Sequence, residues 1–139
     1  QRTTHQFLPA ANLEWNRSDD SMFYISYSEG FKSGGFNAVD DQDPLFTADG
    51  PQRTIPGPGF EYDDENAHSI EIGGKHTLMD GSMTLNWALF DSTYENQQVS
   101  TFVGLGFVVT NAASTDVKGL EVDMTWQATD NLRLGANFA

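Results

Sequence analysis

Apolar and polar residues alternate along several stretches of this chain, and that alternation restricts its fold more than any other feature. The clearest run has four apolar residues at every second position: Met83, Leu85, Trp87 and Leu89. Successive side chains of a β-strand point to opposite faces of a sheet, so each run predicts a strand with one apolar and one polar face. Helical periodicity is almost absent. The sequence therefore predicts an all-β protein.

Six such segments, separated by two kinds of connection, predict the topology. The predicted strands cover residues 7–15, 22 to about 31, 69–77, 83 to about 99, about 107–127, and 132 onwards. Short polar turns at 16–20, 79–82 and 128–131 alternate with longer connections, of which the longest spans about residues 38–66. This pattern is typical of an antiparallel up-and-down meander with two unlike ends, as in a partial segment of a large transmembrane β-barrel.

Composition excludes several classes of function. The 139 residues include 7 Lys and Arg against 20 Asp and Glu, a net charge of −13, which argues against binding nucleic acid. The chain contains no cysteine, so disulfides and thiolate metal sites are excluded. No apolar run approaches the roughly 20 residues of a membrane-spanning helix.

Candidate chemical groups do not form a recognisable site. The long loop and its flank carry many carboxylates: Asp40, Asp41, Asp43, Asp49, Asp63, Asp64 and Glu65. They lack the spaced ligand order of an EF-hand, so a solvated acidic loop is the better interpretation. On a strand, His68 and His76 share a face and Glu71 points to the other. No serine has the glycines of a nucleophile elbow. We therefore predict no catalytic residue, no metal and no cofactor.

Four blocks, in order along the chain, resemble the barrels of TonB-dependent outer-membrane receptors. Tyr24 to Asn37 is similar to the family's Y-x-S-Y-S-x-G-F-K-S-G-G-F-N segment, and Phe7 to Trp15 to its F-x-P-x-x-x-L-x-W segment. Glu65 to Lys75 resembles E-x-x-x-S-x-E-x-G-x-K. The last block, N-A-A…G-x-E-x-D, matches residues 111–113 and 119–123. The resemblance spans essentially the whole chain.

This resemblance implies a barrel of about 22 strands around an N-terminal plug domain. Six predicted strands without a plug make us expect an internal-to-late piece of such a barrel, over residues 1–139. For the parent protein it implies TonB-energised uptake of a bulky nutrient, such as an iron-siderophore, cobalamin or an oligosaccharide, through the outer membrane of a Gram-negative bacterium. The implied partners are outer-membrane lipid, the plug, TonB and a small nutrient ligand. The piece alone should not transport.

Within this interpretation, the alternation predicts which residues face lipid. The lipid-facing set is Met83, Leu85, Trp87, Leu89, Leu120, Val122, Met124 and Trp126. The lumen-facing set is Asn86, Glu121, Asp123 and Thr125. Uncovered apolar residues should make the isolated piece self-associate, or fold the long loop over them. The alternative is a soluble secreted or periplasmic all-β binding module, in which the apolar residues pack into a core.

Overall fold

The structure is a computed structural model that describes residues 3–37, 46–47, 50–51, 61–103 and 106–139. Every regular element in these ranges is a β-strand. In the described part of the chain, no helix has the length and apolar character needed to cross a membrane. The predicted all-β class is confirmed.

The described ranges contain twelve strands, six of them long. They are β1 Ala10–Ser18, β2 Ser21–Lys32, β3 Gly35–Phe36, β4 Phe46–Thr47, β5 Gly50–Pro51, β6 Glu61–Tyr62, β7 Glu65–Leu78, β8 Met83–Glu95, β9 Gln98–Val103, β10 Gly106–Asn111, β11 Thr115–Thr129 and β12 Leu132–Phe138. The main sheet is antiparallel and has the order β1-β2-β7-β8-β11-β12. Long strands therefore follow one another in chain order, which confirms the up-and-down meander.

Two hairpins of the main sheet have the same kind of turn. In β1–β2 and in β11–β12, the two strands are joined by a two-residue turn, at Asp19–Asp20 and at residues 130–131. Both registers shift one step before the turn, between Asn16 and Ser18 and between Gln127 and Thr129. A bulge of this kind adds one unpaired residue and increases the local twist. β1 and β11 end three and two residues later than the sequence predicted, at Ser18 and Thr129.

The third turn, between β7 and β8, has left-handed backbone angles. Met79, Asp80 and Gly81 have φ angles of 54°, 53° and 88°. The hydroxyl and the backbone N–H of Ser82 both donate to the carbonyl of Met79, at 2.8 and 3.1 Å. Left-handed angles at three successive residues reverse the chain within the four residues predicted to form the turn.

The remaining strands form three small two-stranded sheets. β9 pairs with β10, β3 with β6, and β4 with β5, all antiparallel. The sequence predicted one strand from Met83 to about Val99 and another from about Phe107 to Gln127, and both predictions were wrong in extent. β8 ends at Glu95, before Asn96 adopts a φ of 54°. β10 ends at Asn111, and β11 begins at Thr115.

Other boundaries moved less. β1 begins at Ala10 rather than at Phe7, because Pro9 has no N–H with which to continue the ladder and contributes only its carbonyl, to Glu29 N at 3.0 Å. β7 begins at Glu65, so the last two residues of the predicted 38–66 loop belong to the main sheet. Most of that loop lies outside the described residues, and its role as a long external loop stays a prediction.

The chain divides into two compact units. The sheet unit contains residues 8–29, 68–93 and 116–139. The connection unit contains residues 1–7, 30–67 and 94–115, and β3, β6, β9 and β10 belong to it.

Candidate functional site

Aromatic rings collect on one face of the sheet unit, called here the apolar face. Trp15 stacks on Phe23 with ring centroids 5.9 Å apart, and Phe23 meets the edge of His76 at 5.1 Å and of Trp87 at 6.4 Å. The indole N–H of Trp87 donates to Nε2 of His76 at 3.1 Å. Nδ1 of His76 lies 2.8 Å from the hydroxyl of Ser21, which satisfies both ring nitrogens. These contacts join side chains of β1, β2, β7 and β8 across the apolar face.

Large apolar side chains on this face are open. Leu13 and Trp15 are 68% and 61% exposed, and the same face of the other strands carries half-exposed residues: Ile25, Ile70, Ile72, Leu89, Leu120 and Leu134. A soluble monomer rarely leaves a contiguous apolar patch larger than a few hundred Å². The apolar face is therefore built to contact another apolar phase or surface.

The eight predicted lipid-facing residues all lie on this face. Lys118 donates to Asp91 at 2.8 Å, which places the odd-numbered residues of β8 with the even-numbered residues of β11. Strand alternation then brings Met83, Leu85, Trp87 and Leu89 together with Leu120, Val122, Met124 and Trp126. Their contact with lipid stays a prediction.

The opposite face, called here the polar face, carries the predicted lumen set. Asn86 Nδ2 lies 3.5 Å from Asp123 Oδ1, and Asn137, in the amide orientation that suits its neighbours, donates to Asp123 Oδ2 at 2.9 Å. Alternation along β11 places Glu121 and Thr125 on the same side as Asp123. The four predicted residues are thus brought together. Their position in a barrel lumen stays a prediction.

Further hydrogen bonds extend the polar face across the sheet. Tyr24 OH donates to Glu71 Oε1 at 2.6 Å, and the hydroxyls of Ser69 and Ser92 lie 2.7 Å apart. Pockets line this face. One contains Tyr24, Lys75, Asn86, Glu121 and Asp123, and another contains Asn12, Glu14, Ser26 and Glu71. In these two pockets carboxylates outnumber Lys75, so this part of the face is acidic and suited to hydrated or cationic groups.

Two adjacent glycines leave room for aromatic rings to lie directly against the backbone on both faces of the sheet. A Cβ on Gly73 would overlap the ring of Tyr24 on the polar face, and one on Gly74 would overlap the indole of Trp87 and the ring of His76 on the apolar face. Both glycines are buried. The Gly73-Gly74 pair therefore has a packing reason: only a residue without a side chain leaves room for a ring above it.

The connection unit contains polar side chains that the sequence analysis did not single out. Asn37, Gln98 and Asn111 each bind backbone groups of another segment. Gly34 N also donates to Asp64 Oδ1 at 2.6 Å. Phe102 and Phe107 form an edge-to-face pair with centroids 5.2 Å apart, both more than 60% exposed. The sequence carried one signal for them: Asn37 and Asn111 lie inside the blocks that resemble the receptor family.

Metal chemistry finds no support in the described ranges. They contain no group of three or more His, Asp or Glu side chains that could hold an ion. His68 is exposed, whereas His76 packs on the apolar face and Glu71 hydrogen-bonds on the polar one. Most of the carboxylates of the predicted acidic loop lie outside the described residues.

The fold and its two unlike faces define a class: a wall segment of a large antiparallel barrel. A family model described as "TonB dependent receptor-like, beta-barrel" matches residues 1–139. The chain belongs to this family of receptors, as its four sequence blocks predicted.

Solved structures show the same fold. The ferric yersiniabactin uptake receptor FyuA of Yersinia pestis matches 92% of this chain with a TM-score of 0.65 and 20% identity. The alcaligin outer-membrane receptor FauA of Bordetella pertussis matches 99% with a TM-score of 0.60 and 21% identity. The ferric-catecholate import receptor Fiu of E. coli K12 matches 94% with a TM-score of 0.56 and 15% identity. This chain spans only 17–22% of the length of those chains.

Proposed function

We propose that this chain forms part of the barrel wall of an outer-membrane receptor of a Gram-negative bacterium. The observation that carries the proposal is the pair of unlike faces on one sheet. The apolar face leaves Leu13, Trp15 and Leu89 half-exposed or more. The acidic polar face carries separate hydrogen bonds, such as those of Tyr24 and Asn137. Lipid on one side and a hydrated lumen on the other satisfy both faces.

The receptor takes up a scarce iron chelate, with energy supplied through TonB and with a plug domain in its lumen. Family membership supports this assignment, and two of the three similar structures are named for ferric ligands. Cells lacking the gene should then take up less of at least one labelled ferric siderophore. Deletion of TonB should reduce uptake to the same level. Unchanged iron uptake, with lost uptake of cobalamin or an oligosaccharide, would contradict the iron assignment alone.

Lipid contact can be tested through the tryptophans, because Trp15, Trp87 and Trp126 all lie on the apolar face. In the receptor reconstituted into vesicles, lipids with brominated acyl chains quench the fluorescence of indoles that touch them. The part of the tryptophan fluorescence that these lipids quench should be smaller in the Trp87→Phe variant and in the Trp126→Phe variant. If neither substitution changes it, the apolar face packs against protein, as in the soluble binding module, and the proposal is wrong.

Charge substitutions provide a second test with a matched control. Arginine on the lipid side of a barrel costs about 2–4 kcal/mol at the bilayer midplane, whereas lumen positions tolerate charge. Leu85→Arg should therefore reduce the folded, heat-modifiable fraction of the receptor, and Asn86→Arg, one residue away on the polar face, should not. Equal losses for both variants would contradict the assignment of faces.

Removed from its barrel, this piece should self-associate. Exposed apolar surface costs about 25 cal/mol per Å² in water, so several open large side chains cost many kcal/mol. Light scattering on the purified chain in detergent-free buffer should reveal oligomers, unless the long loop covers the apolar face. A monomer in which Leu85 and Val122 are open to water would contradict lipid exposure of this face.

A further inference from the structure

Three amide side chains in the connection unit bind backbone groups and are called here the amide cluster: Asn37, Gln98 and Asn111. Asn37, which is 5% exposed, binds both backbone groups of one partner residue. Its Nδ2 donates to the carbonyl of Val109 at 2.8 Å, and its Oδ1 accepts from Val109 N at 2.7 Å. One side chain thus occupies both backbone groups of one residue, as a neighbouring β-strand would. Val109 lies in the β9–β10 hairpin.

Gln98 is the first residue of that hairpin, and its side-chain amide donates hydrogen bonds to two other segments. Nε2 donates to the carbonyl of Ser33 at 3.0 Å and to that of Asp63 at 3.1 Å. The backbone N–H of Gln98 donates to Glu65 Oε2 at 2.8 Å. Gln98 therefore joins the hairpin to the segment after β2 and to the segment before β7.

Asn111, the last residue of the hairpin, is paired with Gln98 in the ladder. Its Oδ1 accepts from Asp63 N at 2.6 Å, and its Nδ2 donates to the carbonyls of Asp63 at 2.9 Å and of Asn96 at 2.8 Å. Asp63 therefore receives the same two-point contact from Asn111 that Val109 receives from Asn37. The amide cluster joins three segments: residues 32–37, 61–65 and 98–111.

The contacts of the amide cluster are neutral and converge on one hairpin. An amide satisfies a donor and an acceptor at once and carries no charge, so salt does not screen it. The strands of the hairpin are held by six paired positions from Gly106–Val103 to Asn111–Gln98. A movement of the hairpin that breaks the Asn37 contact at Val109 also displaces Asn111, two residues further along the same strand. Such a contiguous hydrogen-bonded group opens as one unit.

We propose that Asn37, Gln98 and Asn111 are positioning residues that couple the connection after β2 to the connection after β8. A displacement of either connection is passed to the other through Val109 and Asp63. The exposed Phe102–Phe107 pair, on the same hairpin, keeps its position only while segments 32–37 and 61–65 keep theirs. This coupling goes beyond the proposed uptake, since it is a property of the receptor without a ligand.

Hydrogen exchange of the complete receptor in detergent micelles, followed by mass spectrometry, tests the coupling without any ligand. Asn37→Ala removes the two contacts to Val109, so peptides over 61–65 report on opening beyond that contact. Asn111→Ala removes the contacts to residues 63 and 96, so peptides over 32–37 report in the other direction. Each variant should raise exchange about tenfold in all three segments. Coupling is reciprocal, so both directions must respond.

Ser100→Ala, at an exposed position between Gln98 and Phe102, is the control and should leave exchange unchanged. If Asn37→Ala lowers the yield of folded receptor, Asn111→Ala carries the test, with residues 32–37 as the distant segment. Faster exchange confined to the segment that lost its contact would overturn the proposal. Iron uptake does not enter the measurement, so failure of the uptake proposal would be seen separately.

Discussion

The sheet unit and the connection unit are stabilised in different ways. In the sheet unit, long antiparallel ladders carry rings packed across strands, such as Trp15 on Phe23 and Tyr24 over Gly73. In the connection unit the strands are short, and single side chains bind the backbone directly, as Asn37 does at Val109. A repeated pattern thus builds the first unit, and a few individual residues build the second.

This difference predicts different responses to substitution. A change in the sheet unit should matter according to the space and the face at its position, because ladder hydrogen bonds do not depend on the side chain. A change in the connection unit should matter according to whether it removes a donor or an acceptor. Four substitutions, in order of decreasing expected effect, can separate the two kinds of response.

Gly73→Val should have the largest effect. Valine favours strands, yet its Cβ would overlap the ring of Tyr24, so we expect a loss of about 3 kcal/mol or failure to fold. The measurement is the urea midpoint of the receptor in micelles. Gly135→Val is the control, because the nearest atom to its Cβ lies at an ordinary 3.8 Å. A second substitution, Tyr24→Ser, should restore part of the loss. Equal effects at both glycines would show that space is not the cause.

Gln98→Leu should open the connection unit and leave the sheet unit unchanged. The carbonyls of Ser33 and Asp63 lose a donor, which costs about 2 kcal/mol locally. Limited proteolysis should cut residues 96–114 about tenfold faster, while the urea midpoint stays that of the wild type. Ser100→Ala should be cut at the wild-type rate. A shifted urea midpoint would show that the two units unfold together.

Trp87→Phe should cost about 1 kcal/mol, because Nε2 of His76 loses its donor while most of the aromatic area is kept. Trp126→Phe, on the same face, should cost less, since no histidine accepts from that indole in the described residues. The urea midpoints of the two variants provide the comparison. If Trp126→Phe costs as much, the indole–imidazole hydrogen bond contributes nothing.

Lys118→Met should have the smallest effect. Its ion pair with Asp91 is 2.8 Å long, but the side chains of Lys118 and Asp91 are 67% and 43% exposed. Exposed pairs contribute about 0.2–1 kcal/mol and are screened by salt. The difference from wild type in the urea midpoint should be small at low salt and should vanish at about 1 M salt. A difference that persists at high salt would mean that the methylenes of Lys118, rather than its charge, contribute.

Most of the sheet unit could be predicted from the sequence. The two-residue alternation predicted β2, most of β7 and the starts of β8 and β12. Alternation is a local property of residues that face two different surroundings. The same period predicted which residues of β8 and β11 share a face. The motif blocks predicted the family.

The connection unit could not be predicted in this way. Alternation continues through Val99, Phe107 and Val109 whether those residues pair in the main sheet or in a separate hairpin. The predicted strands therefore extended β8 into the start of β9 and merged β10 with β11. The left-handed backbone at Asn96 interrupts the first pair. It leaves no clear mark on the hydrophobic pattern.

The sequence by itself determined the strand class and the two faces, because each depends on neighbours one or two positions away. It predicted the order of the six long strands from their connections. Only the tertiary structure decided which backbone groups Asn37, Gln98 and Asn111 bind, since these partners lie up to 72 residues away along the chain. It also decided that Gly73 and Gly74 lie beneath rings from other strands. A residue's long-range partner is set by register and chain reversal, which local pattern does not contain.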